Sequence, residues 1–406
     1  MRGCRSLFVA PPEHPGLSTH PVRLILTLSV AAMVDIGIGR FAYALVLPDM
    51  RDSLHWSYAA AGFMNTVNAA GYLAGALMAS QLIRRFGWSV AIAGGTLACL
   101  ASLAVCAITG NFVLLGLARL IIGLGVATGF VASGALAASI AQSHPERANF
   151  LLSLYYAAPG LGIVASGLIA PFVLQAFGPG SWWNVWWVMT LLAAVMTVPL
   201  LLARFESKAT PTQAGAAYFS IVPVLVYLAG YFLFGAGYIA YMTFMIAFVR
   251  DAGGGAAAQA AFWSLIGSSA FVTPWVWRGV LALNRGGLAT AIILAVNAFG
   301  ASLPSFGHSL ALLATSALVF GVAFFAVVGS TTAFVRFNYP PAAWPTAIAA
   351  MTIAFGVGQT LGPILVGAIN DALGSVAYAL NVSAALLALG AAAAALQGKL
   401  ARVNCR

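Results

Sequence analysis

Twelve long apolar stretches fill this chain, and its basic residues gather in every second gap between them. The stretches run over 22–48, 58–83, 88–109, 112–140, 148–176, 183–203, 219–249, 258–277, 287–306, 310–335, 344–369 and 375–397. Each is near or above the ~20 residues that a helix needs to cross a bilayer. Of the 18 Lys and Arg, 14 lie in the two tails and the even gaps: Arg2, Arg5, Arg23, Arg84, Arg85, Arg147, Arg204, Lys208, Arg278, Arg285, Arg336, Lys399, Arg402 and Arg406. The odd gaps hold only Arg51 and Arg250, and Arg40 and Arg119 lie inside stretches. By the positive-inside rule this asymmetry predicts a multi-pass protein of the cytoplasmic (inner) membrane with both termini in the cytoplasm.

A formal charge of +10 could point to nucleic acid, but the basic residues are spread over seven segments and form no patch. The charge is read as orientation and contact with anionic lipid heads, not as a nucleic-acid surface. Residues 1–21 contain Pro11-Pro12-Glu13-His14-Pro15 and no apolar core of signal-peptide length, so a cytoplasmic tail is expected there. Cys4 and Cys405 fall in the tails and Cys99 and Cys106 in the third stretch, a distribution that suggests neither a disulfide framework nor a metal cage. Neither Lys208 nor Lys399 is followed by Ser or Thr, so no phosphate-binding loop of the Gly-x-x-x-x-Gly-Lys-Ser/Thr type is present. No enzyme activity and no cofactor are expected.

The most polar internal stretch, 204–213, divides the chain into equal sets of six. The expected organisation is a tail at 1–21, an N-terminal six-helix bundle at 22–204, a linker at 205–217, a C-terminal bundle at 218–397 and a tail at 398–406. The halves echo one another. Gly37-Ile-Gly39-Arg40-Phe-Ala42-Tyr43 in the first stretch is repeated as Gly235-Ala-Gly237-Tyr238-Ile-Ala240-Tyr241 in the seventh. Gly160-Leu-Gly162 in the fifth returns as Gly356-Val-Gly358 in the eleventh. With six crossings per half the repeats run parallel, an arrangement that places a transport site at mid-depth between them.

These features resemble the major facilitator superfamily over residues 22–397. Arg119-Leu-Ile-Ile-Gly123-Leu-Gly125-Val-Ala-Thr-Gly129 is similar to that superfamily's fourth-span motif of an arginine with glycines. Gly39-Arg40-Phe41-Ala42-Tyr43-Ala44-Leu45-Val46-Leu47-Pro48 and Gly356-Val-Gly358-Gln359-Thr-Leu-Gly362-Pro363 resemble the first and eleventh spans of its YbfB/YjiJ-type subgroup. The resemblance implies an all-α membrane protein of twelve helices in two pseudo-symmetric six-helix bundles. The loop between the second and third spans departs from the family pattern: Arg84 stands where an acid is usual and Trp88 where a base is usual. That departure puts the usual charge lock on the cytoplasmic gate in question. The fifth span, Ala157-Ala158-Pro159-Gly160, matches the family's antiporter motif only in part.

Asp35, Arg40 and Arg119 are the charged side chains placed well inside the stretches. An ionised group at mid-membrane costs about 2.5–3.5 kcal/mol even on lenient scales, so each calls for a partner or a wet cavity. Counting the helical rise puts Asp35 and Arg119 both about 20 Å above the cytoplasmic edge, close enough in depth to face one another. Two readings follow. Asp35 is a carboxylate that pairs with Arg119 when ionised and releases it when protonated, or the two form a permanent ion pair. Arg40 is about 140° around an α-helix from Asp35, so one helix face cannot present both to a central cavity. Arg40 is either a clamp for a substrate anion or an arginine whose stem lies in the span while its head reaches the interface.

Tyr227, Tyr231, Phe234, Tyr238 and Tyr241 recur at i+3 and i+4 along the seventh stretch, as a cavity wall or as helix packing. Asn65, Asn68 and Gln359 are amides that either bond substrate or tie neighbouring helices together. The run Trp182-Trp183-Asn184-Val185-Trp186-Trp187 reads as an interfacial belt. The expected function is a proton-coupled secondary active transporter, acting as a monomer, that moves a small organic solute with a lean to carboxylates. The alternative is proton-driven export of small hydrophobic or toxic compounds. The candidate proton-coupling residues are Asp35 and Arg119, and the candidate substrate-binding residues are Arg40, Asn65, Asn68, Tyr231, Tyr238, Tyr241 and Gln359.

Overall fold

Among the described residues helix is the regular structure, as a backbone that must satisfy its own hydrogen bonds in lipid requires. The computed structural model describes residues 20–203, 205, 220–283 and 286–400. Outside the described residues lie the tails at 1–19 and 401–406, residues 284–285 and most of the linker. With them go Arg2, Arg5, Arg204, Lys208, Arg285, Arg402 and Arg406, and Cys4, Cys405 and His14.

The N-terminal half contains α1 (Pro21–Ser53), α2 (58–86), α3 (88–106), α4 (Phe112–Gln142), α5 (Ala148–Phe177) and α6 (Trp182–Leu202). The C-terminal half contains α7 (Leu225–Asp251), α8 (Ala256–Val276), α9 (Leu288–Ser302), α10 (Leu310–Asn338), α11 (Trp344–Leu373) and α12 (Val376–Leu396). Among the described residues, ten helical runs are long and apolar enough to cross a membrane. The run Tyr58–Cys106, 49 residues long, supplies two crossings, because it breaks into α2 and α3 at Gly87. Gly87 has φ 82°, a backbone conformation that disfavours any residue with a Cβ. The helix α8 is long enough but more polar, carrying Gln259, Ser264, Ser268, Ser269 and Thr273. Twelve crossings result, as the hydropathy pattern predicts.

The bundles touch along seams that obey the sequence repeat. α5 packs on α8 and α11 packs on α2, the same pairing seen from the two halves. The first glycine of each repeated Gly-x-Gly lies on such a seam: a Cβ on Gly160 would meet the backbone of Gly267, and one on Gly356 would meet Leu73. The second glycine faces its own half. Gly162 lies against Met33 and Gly37 of α1, and Gly358 against Phe232 of α7. Close approach of this kind is how small residues bring helices together where lipid removes the usual hydrophobic drive. On the outward faces, large apolar side chains such as Leu191, Val195 and Leu389 are exposed, as a lipid-facing surface requires. Only half of the tryptophan run belongs to that surface. Trp183 and Trp187 are exposed, but Trp182 and Trp186 turn into the N-terminal bundle, because four residues of one helix cannot all share one face.

The two ends of the molecule are distinguished by their contacts. Gln397, Pro223 and Gly287 join near the C-terminal tail, at the end here called proximal, and the helix ends near 52, 58, 250 and 371 meet at the opposite, distal end. Gly160→Val should lower the Tm of the purified protein, at a cost of about 1–3 kcal/mol for overpacking a tight seam. Gly94→Val, at an exposed position whose added Cβ meets nothing within 4 Å, should leave it nearly unchanged. Equal shifts in a thermal melt would show that the α5–α8 seam is not tightly packed.

Candidate functional site

The site grows from an irregular stretch of α1. Between two α-helical segments, Met33–Arg40 is π-helical, with hydrogen bonds one residue longer than in an α-helix. Gly37 lets this stretch lie against Gly162 of α5, and Gly39 lets it lie against Cys99 and Val126. Such widened turns are frequent at functional sites, and this one carries both Asp35 and Arg40. The 140° separation counted for a regular helix therefore does not apply. The two side chains nevertheless face different neighbours.

Arg40 projects into the contact between the halves at mid-depth and is 4% exposed. Its Nη2 donates to Oε1 of Gln359 on α11 and, at 3.4 Å, to the hydroxyl of Tyr238 on α7. Tyr238 itself donates to Gln359 Oε1 at 2.8 Å. The guanidinium carbon lies 4.3 Å from the ring centroid of Tyr72 on α2, a cation–π distance. Arg40 and Tyr238 occupy equivalent positions of the repeat, 198 residues apart, so the two halves present corresponding residues to one another. Two buried nitrogens of this cluster have no hydrogen-bond partner: Arg40 Nη1 and Gln359 Nε2. Around them stand aromatic rings. Phe355 lies nearly parallel to Tyr238, at 5.6 Å and 9°, and to Tyr231, at 5.1 Å and 18°.

Asp35 and Arg119 do not meet. The Asp35 carboxylate is fully buried inside the N-terminal half, where Oδ2 accepts a hydrogen bond from the Thr96 hydroxyl at 3.2 Å and packs against Gly129. Its Oδ1 has no partner. Arg119 instead donates from Nη2 to Asn65 Oδ1 at 2.8 Å and from Nη1 to the Gly39 carbonyl at 3.2 Å, with its guanidinium 4.6 Å from the Tyr43 ring centroid. Gly39 is four residues beyond Asp35 toward the distal end, so equal depth from a residue count did not produce contact. The glycines of the fourth-span motif have separate tasks. Gly123 admits the backbone of α2, Gly125 admits α3, and Gly129 makes room for the Asp35 carboxylate.

From mid-depth to the distal end the halves are tied together. Asn65 Nδ2 donates to Thr243 Oγ1 at 2.7 Å, and Thr66 donates to the Thr360 carbonyl at 2.7 Å. At the rim Arg250 pairs with Asp52 at 2.9 Å. Asp371 of α11 accepts hydrogen bonds from the backbone N–H groups of Tyr58 and Ala59, both at 2.8 Å, and so places an anion at the N-terminus of α2. The distal side is closed by these contacts.

The expected site residues therefore divide. Arg40, Gln359, Tyr238 and Tyr231 converge between the halves. Asn65 bridges Arg119 to Thr243 at the closed distal side of that cluster. Asn68 donates to the backbone carbonyl of Arg119 and serves packing between α2 and α4. Tyr241 turns away into the C-terminal bundle, bonded to Ser316 and stacked on Phe320, and Tyr227 likewise bonds Thr290. The aromatic stripe of α7 is thus shared between two environments, since residues three and four apart drift around the helix. Sequence reasoning missed Tyr72, Phe355, Thr96 and Thr243. For two of them a signal existed. Tyr72 extends the Asn65–Asn68 face by one further turn, and Phe355 lies four residues before Gln359.

Two six-helix halves related by a repeat, with a polar cluster buried at mid-depth between them, are an architecture of membrane transporters. The chain belongs to the family described as the uncharacterised major facilitator superfamily-type transporter YbfB, which it matches over residues 32–395. Among solved structures it is similar to the crystal structure of the nucleoside transporter NupG (D323A mutant), with a TM-score of 0.68 and 16% identity. That match covers 91% of this chain and 98% of the other, and it shows a shared fold. No curated protein matches the chain.

Asn65→Ala should destabilise the protein by about 1.5–3 kcal/mol, since it removes an acceptor from a buried guanidinium. Asn68→Ala, which removes one neutral hydrogen bond, should cost about 1 kcal/mol. Thermal melts of the two variants compare them directly. An equal or smaller shift for Asn65→Ala would show that Arg119 does not depend on it.

Proposed function

We propose that this protein is a proton-coupled secondary active transporter that carries a small organic solute, with a lean to carboxylates, by alternating access. The observation that supports this reading most is the pair of open donors, Arg40 Nη1 and Gln359 Nε2, buried where the halves meet. A guanidinium in that position offers charge and a fixed fork of donors to a carboxylate. Because Arg40 and Gln359 belong to opposite halves, a solute held by both would be sensed by both as they rock. One chain supplies the whole cluster, in keeping with a monomer. The 14-to-2 distribution of basic residues favours cytoplasmic termini in the cytoplasmic membrane, with anionic lipid heads against the proximal end. In that orientation the closed distal side is the outer side. No step of this cycle calls for enzymatic chemistry or a cofactor.

Asp35 is the proposed proton site. An ionised carboxylate there would have Thr96 as its hydrogen-bond donor, and the described residues form no ion pair with it. Charging it would therefore strain the π-helical stretch that also carries Arg40, and so bias which conformation the halves adopt. Arg119 is a supporting group in this scheme, holding Asn65 in the closed distal contact. The driving force is adequate. One net charge through ~100 mV supplies ~2.3 kcal/mol and one pH unit ~1.4, enough for an accumulation of several hundred-fold for a neutral solute. A monoanion moving with one proton is electrically silent and gains only the pH term, about tenfold per unit.

The aromatic wall of Tyr231, Tyr238 and Phe355 also favours a second reading, export of small hydrophobic compounds driven by protons. Arg40→Gln separates the two readings. Carboxylate uptake should weaken by about 10–150-fold if a charge-assisted bond of ~1.5–3 kcal/mol is lost, whereas efflux of uncharged compounds should persist. In proteoliposomes, Asp35→Asn should retain solute exchange at equilibrium yet lose accumulation driven by a pH gradient. Full pH-driven accumulation by Asp35→Asn would remove Asp35 from the coupling.

A further inference from the structure

We propose that the solute is an aromatic monocarboxylate, a flat ring bearing a single carboxylate; this rests on the reading of Arg40 as the solute's anchor. Three observations converge on that class.

The open donors set the head group. Arg40 Nη1 and Gln359 Nε2 are buried, unpartnered and carried by two side chains that already bond to one another through Nη2 and Oε1. They are open on the same small cluster, so the complementary group needs two acceptor oxygens on one centre. A carboxylate has them and brings no third charged oxygen that would go unpaired.

The count of charges sets the valence. The other deeply buried guanidinium, Arg119, belongs to the N-terminal half, with Nη1 and Nη2 engaged by Gly39 and Asn65 and Nε without a partner. Among the described residues Lys399 is the lysine, and it follows the last helix. Arg250, at the distal rim, is already paired with Asp52, so at mid-depth between the halves Arg40 is the cation that meets Gln359, and one anionic charge neutralises it. A second carboxylate on the solute would be buried beside aromatic rings with no counter-charge.

The walls set the body. Tyr72 stands 4.3 Å from the guanidinium carbon, and Phe355 lies nearly parallel to both Tyr231 and Tyr238. Tyr72 and Phe355 are only partly buried, whereas Tyr231 and Tyr238 are buried. Parallel faces accept a flat ring by offset stacking, a gain that a saturated ring or a short chain does not share.

The test is equilibrium binding to the purified full chain by titration calorimetry, with benzoate, cyclohexanecarboxylate, acetate, phthalate and benzamide as probes. Benzoate should bind at least tenfold more tightly than each of the others. Arg40→Gln should weaken benzoate tenfold or more, and Arg40→Lys should restore part of the loss. Phe355→Leu, which keeps an apolar side chain, should narrow the gap between benzoate and cyclohexanecarboxylate. Melting temperatures of the variants establish that each is folded. If acetate, phthalate or cyclohexanecarboxylate binds as tightly as benzoate and loses that affinity in Arg40→Gln, the aromatic monocarboxylate is overturned while the anchor stands. If benzamide binds as tightly as benzoate and Arg40→Gln changes neither, the anchor itself is overturned.

Discussion

A guanidinium buried between two six-helix bundles governs this structure. Arg40 sits at mid-depth, where an unpartnered charge is too costly to persist, and its partners come from the opposite half: Gln359 and Tyr238. The requirement to satisfy that charge therefore pulls α7 and α11 onto α1. The same group is not fully satisfied in this conformation, since Nη1 remains open, as does the amide nitrogen of Gln359. Cohesion between the halves and an incomplete hydrogen-bond inventory thus meet at one point. In the proposed cycle, a solute that completes the inventory would act on the contact the halves must break and remake.

The other two buried charges are handled differently, and both lie within the N-terminal half. Arg119 is spread over neutral acceptors, an amide and a backbone carbonyl, together with the face of Tyr43. Asp35 has a single hydroxyl donor and a glycine that clears space for it. Keeping the two apart avoids a buried ion pair, whose desolvation can exceed its attraction. It also leaves each charge dependent on its own small set of neighbours. Asp35 shares the π-helical stretch with Arg40, whereas Arg119 reaches the closed distal side through Asn65 and Thr243.

Legibility in the sequence followed the kind of interaction. The repeat of Gly-x-Gly in the fifth and eleventh stretches was visible as letters, and in the structure its members occupy corresponding seams. Arg40 and Gln359 stood out because polar groups in apolar runs are rare. Their contact did not stand out, since 319 residues separate them and no local pattern joins helices of different halves. The expectation that Asp35 and Arg119 meet came from depth alone. Depth is one coordinate of three, and the rotation of each helix about its axis, altered here by π-helical turns, decided the outcome. Tyr241 shows the same effect in reverse: a stripe that reads as one face is divided when the helix packs against two neighbours.

The chain's own pattern of apolar lengths and alternating basic gaps was enough to determine twelve crossings, two matching halves and the rarity of buried charge. Each of these follows from one-dimensional accounting, residue by residue, of what lipid tolerates. Which polar groups meet was decided only by tertiary structure. Hydrogen bonds between helices depend on azimuth and tilt, which close glycine contacts and the widened turn of the first helix set, and neither quantity is written in a hydropathy pattern.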